Sequence, residues 1–243
     1  MFTTKSSRLF AVTAIMSLTA AVQATPIYDT FGPLDDATFG GQGIPNDEVA
    51  ISSQFIDGDV TIIVAMSATQ RYSNPALTNN GAGTYFATPG SNFGGNNESV
   101  NEGALWNFNY YMKVVGTNGA TPILADYQID LYYDFDTGFD TPLGSLGKIN
   151  VTNAILGSAT PGTTLVEGSQ NLMFGFLASA IPGLVAPPAG AFDPNALGEY
   201  NFAIQVSRNG FGVETVAMDV QVVPEPASLA LLTLGGLALT RRR

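Results

Sequence analysis

Trp106, Phe108, Tyr110, Met112 and Val114 take every second position of one stretch, with Asn107, Asn109, Tyr111 and Lys113 between them. A period of two sends successive side chains to opposite sides of a strand, so one face is apolar and the other polar. The alternation recurs in Ile123, Ala125, Tyr127, Ile129, Leu131 and Tyr133, then in Tyr200, Phe202, Ile204 and Val206, and again in Val216, Met218, Val220 and Val222. Asn209-Gly210 separates the last two runs, and Asp57-Gly58 separates the apolar stretches 49–56 and 60–68. Both dipeptides tolerate the positive φ angles of tight hairpins. No segment between residues 25 and 222 sustains a 3.6-residue apolar period. The pattern predicts an all-β fold, an antiparallel β-sandwich with jelly-roll or immunoglobulin-like topology left open.

Two stretches are poor in regular pattern. Residues 79–103 are polar and glycine-rich, which suits a surface loop that carries function or a mobile insertion. Residues 182–195 contain Pro187-Pro188 and Pro194 and are expected to cross between sheets in extended form. Strand-like sequence flanks both, so neither divides the body into two domains.

Cysteine and histidine are absent. Without Cys there is no disulfide, no thiol nucleophile and no zinc–thiolate site. Without His there is no Ser-His-Asp triad and no imidazole base or ligand. An enzyme on this chain would have to use carboxylate, Lys or Tyr chemistry, and a metal would have to be held by oxygen, which means calcium or magnesium.

The charge is one-sided. Of nine basic residues, Lys5, Arg8, Arg241, Arg242 and Arg243 lie at the chain ends, leaving Arg71, Lys113, Lys148 and Arg208 against twenty acidic residues. Nucleic acid is not an expected partner, since binding it requires a positive footprint. An acidic surface keeps an exported protein soluble, and it could also hold divalent cations.

Asp126, Asp130 and Asp134 share the polar parity of one strand, followed by Asp136, Gly138 and Asp140. Asp130 and Asp134 stand about 13 Å apart along a strand, too far to share an ion. A chain turned back at Gly138 would let Asp134, Asp136 and Asp140 converge as a calcium site. The spacing departs from an EF-hand loop, with Gly138 at the fifth position and Ser145 where a bidentate Glu would stand. The alternative is a solvated acidic face that ends in a turn.

Tyr111 and Tyr132 fall on the outward parity of their strands and are candidate sugar-binding rings, so a calcium-assisted carbohydrate-binding module is the second functional expectation. A carboxylate-based hydrolase is the third, and it would need two carboxylates roughly 5 to 10 Å apart in a cleft. Glu98, Glu102, Glu199 and Glu214 are available, yet nothing in the sequence pairs them. No catalytic residue is assigned, and the first expectation is a non-enzymatic structural or adhesive protein.

Both ends carry addresses rather than fold. Lys5 and Arg8 precede the apolar stretch 9–22, and Val22-Gln23-Ala24 offers small residues at the cut positions, so residues 1–24 read as a signal peptide cleaved after Ala24. At the other end Pro224-Glu225-Pro226 breaks regular structure, an apolar run follows to Leu239, and Arg241-Arg242-Arg243 ends the chain. A helix over residues 227–240 would span roughly 21 Å, short of the ~30 Å hydrocarbon core, so it is expected to be a transient inner-membrane anchor. The arginines would stay on the cytoplasmic side.

This order of parts resembles the PEP-CTERM sorting signal of exported Gram-negative proteins, a tail also known as an ice-binding protein C-terminal domain. The body lacks the regular Thr-x-Thr array of an ice-matching face. The Gly-Gly pair of the related rhombosortase tail precedes its apolar run, whereas Gly235-Gly236 lies inside the run here. The resemblance implies that an exosortase recognises Pro224-Glu225-Pro226, and that the protein reaches the cell surface or an exopolysaccharide matrix. The expected organisation is therefore a signal peptide at 1–24, a β-sandwich at 25–222 and a sorting segment at 223–243.

Overall fold

The computed structural model describes residues 26–224, apart from 57, 158 and 159. The expected signal peptide with Ala24, and the tail residues Glu225, Pro226, Arg241, Arg242 and Arg243, lie outside the described residues. In chain order the strands are β1 (Thr30–Gly32), β2 (Val49–Ile56), β3 (Val60–Gln70), β4 (Thr78–Asn79), β5 (Thr84–Ala87), β6 (Ser91–Asn92) and β7 (Gly103–Ala104). They continue with β8 (Trp106–Gly116), β9 (Gln128–Tyr133), β10 (Gly147–Asn150), β11 (Leu165–Gln170), β12 (Val185–Ala186), β13 (Gly198–Arg208) and β14 (Phe211–Val222).

Two sheets face each other. The smaller runs β1-β2-β3-β8-β11, the larger β12-β10-β9-β13-β14-β5-β4, and β6 with β7 forms a separate ribbon. The all-β sandwich expected from the alternation is the fold observed. Pairing is antiparallel except between β14 and β5, which run parallel with Asp219 opposite Thr84 and Val222 opposite Ala87.

The apolar parity of each strand points into the space between the sheets. Trp106, Phe108, Tyr110, Met112 and Val114 are all buried, as are Ile129, Leu131 and Tyr133, and Tyr200, Phe202, Ile204 and Val206. The Phe108 and Phe202 rings meet across the sheets at 4.8 Å, and Trp106 stands edge-on to Phe192 and Phe202. Burying such a side chain contributes about 1.5–3 kcal/mol, so this aromatic row is a main source of cohesion. Both expected hairpins form, β2 pairing β3 from Ile56 opposite Val60, and β13 pairing β14 from Arg208 opposite Phe211.

Two local expectations change. The strand anticipated from Ile123 begins only at Gln128, because Leu124–Asp126 forms a 3₁₀ turn in which the Asp126 carboxylate accepts the Ile123 N–H. The glycine-rich stretch is tied down: it contains β5 and β6, and the Arg71 guanidinium donates to the carbonyls of Asn92 (2.8 Å) and Asn101 (2.7 Å).

The outer face of the smaller sheet is covered. Residues 33–48 lie across it, burying Ala37 and Phe39 against Val49, Ala65 and Tyr111 in a second apolar cluster. Glu167 of β11 holds this cover, accepting the backbone N–H groups of Thr38 and Phe39 at 2.8 Å each and the Thr38 hydroxyl at 2.6 Å. Lys113 adds an ion pair to Asp36 at 2.8 Å. Charge-assisted hydrogen bonds of this kind contribute more than neutral ones. Glu167→Ala should therefore destabilise the protein by about 2 kcal/mol, and Glu167→Gln by less, read as shifts in the urea midpoint. An unchanged midpoint for Glu167→Ala would show that the apolar contacts alone hold the cover.

Candidate functional site

Three of the acidic residues singled out in the sequence enter a turn that folds over the larger sheet. At the end of β9, Asp134 Oδ1 accepts the N–H of Asp136 at 2.8 Å, and Asp136 Oδ1 accepts the N–H of Gly138 at 2.8 Å. These two local bonds curl the chain back across the start of β13. The approach is close: Glu199 N–H donates to the Thr137 carbonyl at 3.2 Å, and a Cβ at Gly198 would overlap that oxygen. Asp140 then donates its N–H to Glu199 Oε1 at 3.4 Å, and Thr141 its N–H to Asn201 Oδ1 at 2.8 Å.

Beneath the turn, cross-strand register sets the chemistry. Glu199 faces Gln221 and Asn201 faces Asp219 between β13 and β14. Gln221 Nε2 donates to Glu199 Oε2 at 2.9 Å, and Asn201 Nδ2 donates to both Asp219 Oδ1 (2.9 Å) and Glu199 Oε1 (3.2 Å). Asp134, Glu199 and Asp219 are 0%, 1% and 5% exposed. Asp134 Oδ2 and Asp140 Oδ1 are sealed from solvent with no hydrogen-bond partner.

The structure thus separates the predicted calcium trio. Asp136 stays exposed and is occupied by Gly138, whereas Asp140 meets Glu199 and Asp219. Among the described residues no group of three or more carboxylates is placed to hold a metal ion. Glu199 was named from sequence only as an available carboxylate without a partner, and Asn201 and Asp219 were not singled out. The Asn209-Gly210 hairpin signals that β13 pairs β14, but the register that sets Glu199 opposite Gln221 and Asn201 opposite Asp219 also needs the one-residue shift between Val206 and Ser207, of which the sequence carries no sign.

The two candidate sugar-binding rings fare differently. Tyr111, expected on an open face, is 1% exposed because Ala37 and Phe39 cover it. Parity placed it on the outer side correctly, but parity carries no information about a segment that folds over that side. Tyr132 is half-buried on the outer face of the larger sheet, in register with Lys148 and Ala203. A more exposed ring, Tyr72, stands among polar residues at the edge of the 33–48 cover.

Burial pushes the Asp219 carboxyl up to about 7, the Asn201 hydrogen bond opposes this, and the Glu199 and Asp140 charges reinforce it. Asp134 is also raised, by burial first, and Asp140 by loss of solvent and then by Glu199. The Asp219 carboxyl, raised in the folded state, holds a proton that the unfolded chain has released, so its contribution is complete below about pH 4 and declines as pH rises to about 7. One such group costs up to about 1.4 kcal/mol per pH unit across that window. Asp219→Asn keeps an acceptor for Asn201 and cannot ionise. Its melting temperature should match wild type near pH 4 and exceed it at pH 7.5, and a gap that instead widens toward acid would refute buried protonation.

The β14 ladder runs up to the tail: Val222 pairs Gly198 and Ala87, and Val223 N–H donates to the Ala87 carbonyl at 2.9 Å. Pro224, with no N–H, follows at once. Residues 222–243 match the family model described as PEP-CTERM protein-sorting motif. The chain carries a PEP-CTERM sorting signal. It is therefore an exported, surface-directed protein, and its processing partner is an exosortase-type enzyme. Among the described residues no helix is long and apolar enough to cross a membrane, and the tail segment expected to form the transient transmembrane helix lies outside the described residues. No curated protein and no solved structure matches the chain.

Proposed function

We propose that the sandwich is a non-enzymatic structural or adhesive body that its PEP-CTERM tail delivers to the cell surface or polysaccharide matrix. The observation that carries this reading is the junction itself: a body hydrogen-bonded on both sides of its last strand gives way within two residues to a sorting signal. The acidic cluster also supports it, because Asp134, Glu199 and Asp219 lie under the 134–142 turn rather than in a cleft that a substrate could enter. In cells of the producing organism the intact chain should lose its tail and accumulate in the surface or matrix fraction. A Pro224→Ala/Glu225→Ala variant should keep its full mass and stay with the inner membrane. Equal mass and equal distribution of the two would end the sorting account, and a wild type found entirely in the medium would end the adhesive one.

A second reading, calcium-assisted carbohydrate binding, is favoured by the two orphaned oxygens of Asp134 and Asp140. Calcium in that turn would have to draw Asp136 inward from Gly138. At 100 times its dissociation constant, a ligand of the folded state adds about 2.7 kcal/mol. Millimolar calcium at pH 8 should then raise the melting temperature over a chelator control. No shift removes calcium from the account and leaves protons as the means of relieving the cluster.

A further inference from the structure

Beside the 33–48 cover the outer face of the smaller sheet opens again as a groove of about 500 Å³. That volume lies within the ~300–1,000 Å³ of small-molecule sites. Asn107 of β8 and Ser169 of β11 form its floor, Gln42 stands on the cover side, and Gln70, Arg71, Tyr72 and Glu98 line the other.

The groove is held firmly at Tyr72. This residue has φ of 52°, a left-handed backbone that favours glycine and is strained for a bulky side chain. Its ring lies along Gly94, where a Cβ would come 2.6 Å from Cδ2, and Arg71 Cζ sits 5.0 Å from the ring centroid. Arg71 in turn holds the glycine-rich stretch, as does the reciprocal amide pair of Asn74 and Asn92. Despite these contacts Tyr72 is 53% exposed. The fold thus spends backbone strain on presenting an open aromatic ring at a fixed angle.

Apart from Arg71 and Glu98, the polar side chains that line the groove are neutral hydrogen-bonding groups. Asn107 Nδ2 donates to Ser169 Oγ at 3.0 Å, and its Oδ1 accepts from Asn171 at 2.8 Å, which orients the floor. The Gln42 side-chain amide, on the cover side, has no hydrogen-bond partner among the described residues. Arg71 is 2% exposed with its N–H groups on backbone carbonyls, and Glu98 sets one negative charge beside it, so the groove offers no free cation to an anionic ligand. The acidic body would repel such a ligand as well.

We propose that this groove binds a neutral polysaccharide chain, with a sugar ring stacked on Tyr72 and its hydroxyls bonded to the Gln42 amide and to the Asn107–Ser169 floor. The proposal rests on the adhesive reading above and names its ligand class. The test is affinity electrophoresis of the exported protein through gels containing a neutral glucan, mannan or galactan, with polygalacturonate as the anionic probe.

Wild type should be retarded by at least one neutral polymer. Tyr72→Gly, which suits the backbone angle, should melt as wild type does and bind about tenfold more weakly, whereas Tyr72→Phe should bind normally. If Tyr72→Gly melts low, Gln42→Ala, which leaves the backbone alone, reads the same site and should bind about tenfold more weakly. Retardation by none of the neutral polymers, retardation by polygalacturonate alone, or full binding by a folded Tyr72→Gly protein overturns the proposal. Matrix retention of wild type alongside any of these results would leave the adhesive reading standing and place its contact elsewhere.

Discussion

The three hydrogen bonds that Glu167 accepts from Thr38 and Phe39 decide what the outer side of the smaller sheet can be. Without them, Ile63, Ala65 and Tyr111 would form an apolar patch on an otherwise polar face, with no partner in the sandwich core. With them, residues 33–48 become a third layer over that patch, and the carboxylate satisfies two backbone N–H groups that a covered loop would otherwise leave unpaired. The cover stops short of the whole face. Where it ends, the polar residues Asn107 and Ser169 return to solvent, and the groove at Tyr72 is the margin left by an incomplete third layer.

The larger sheet is covered by a different chemistry. Its outer face at Glu199, Asn201 and Asp219 is polar, so the turn at 134–142 is held by backbone N–H groups and amides rather than by apolar burial. Asn201 is central, because its one amide accepts from Thr141 and donates to two carboxylates. A neutral bridge cannot cancel like charges, and burial raises the Asp219 carboxyl toward the protonated form. Two faces of one sandwich are therefore closed by different means, one by an apolar cluster held down by a carboxylate, the other by amide and backbone hydrogen bonds over buried carboxyls.

The strands and their inward residues were legible because alternation reports which side of a strand a residue takes, and a sandwich core needs little more. The Asn-Gly and Asp-Gly hairpins likewise fixed the β13–β14 and β2–β3 pairings. What alternation cannot report is the environment beyond the sheet, so Tyr111 on the outer parity read as exposed. The same gap hid the acidic cluster: Asp134 and Asp140 were visible as a motif, but their neighbours came from Glu199 and Asp219, about 60 and 80 residues further along. Short strands were lost for another reason. β5 is four residues inside a glycine-rich stretch, and its parallel pairing with β14 is set by backbone bonds that no side-chain pattern encodes.

That parallel pairing also shapes how the body bears its tail. β14 lies inside the larger sheet, between β13 and β5, and it leads directly into Pro224. Inter-strand hydrogen bonds run across the strand direction, so tension applied through the tail along β14 loads both ladders in shear. An edge strand would have one ladder to resist the same pull, and a strand joined by a flexible linker would transmit its direction poorly. Pro224 cannot extend the ladder by a further N–H, which marks a sharp limit between the sheet-bound strand and the sorting signal. The body therefore meets the sorting signal at an interior strand paired on both sides, with Val223 alone rather than a long linker between its last ladder pair and Pro224.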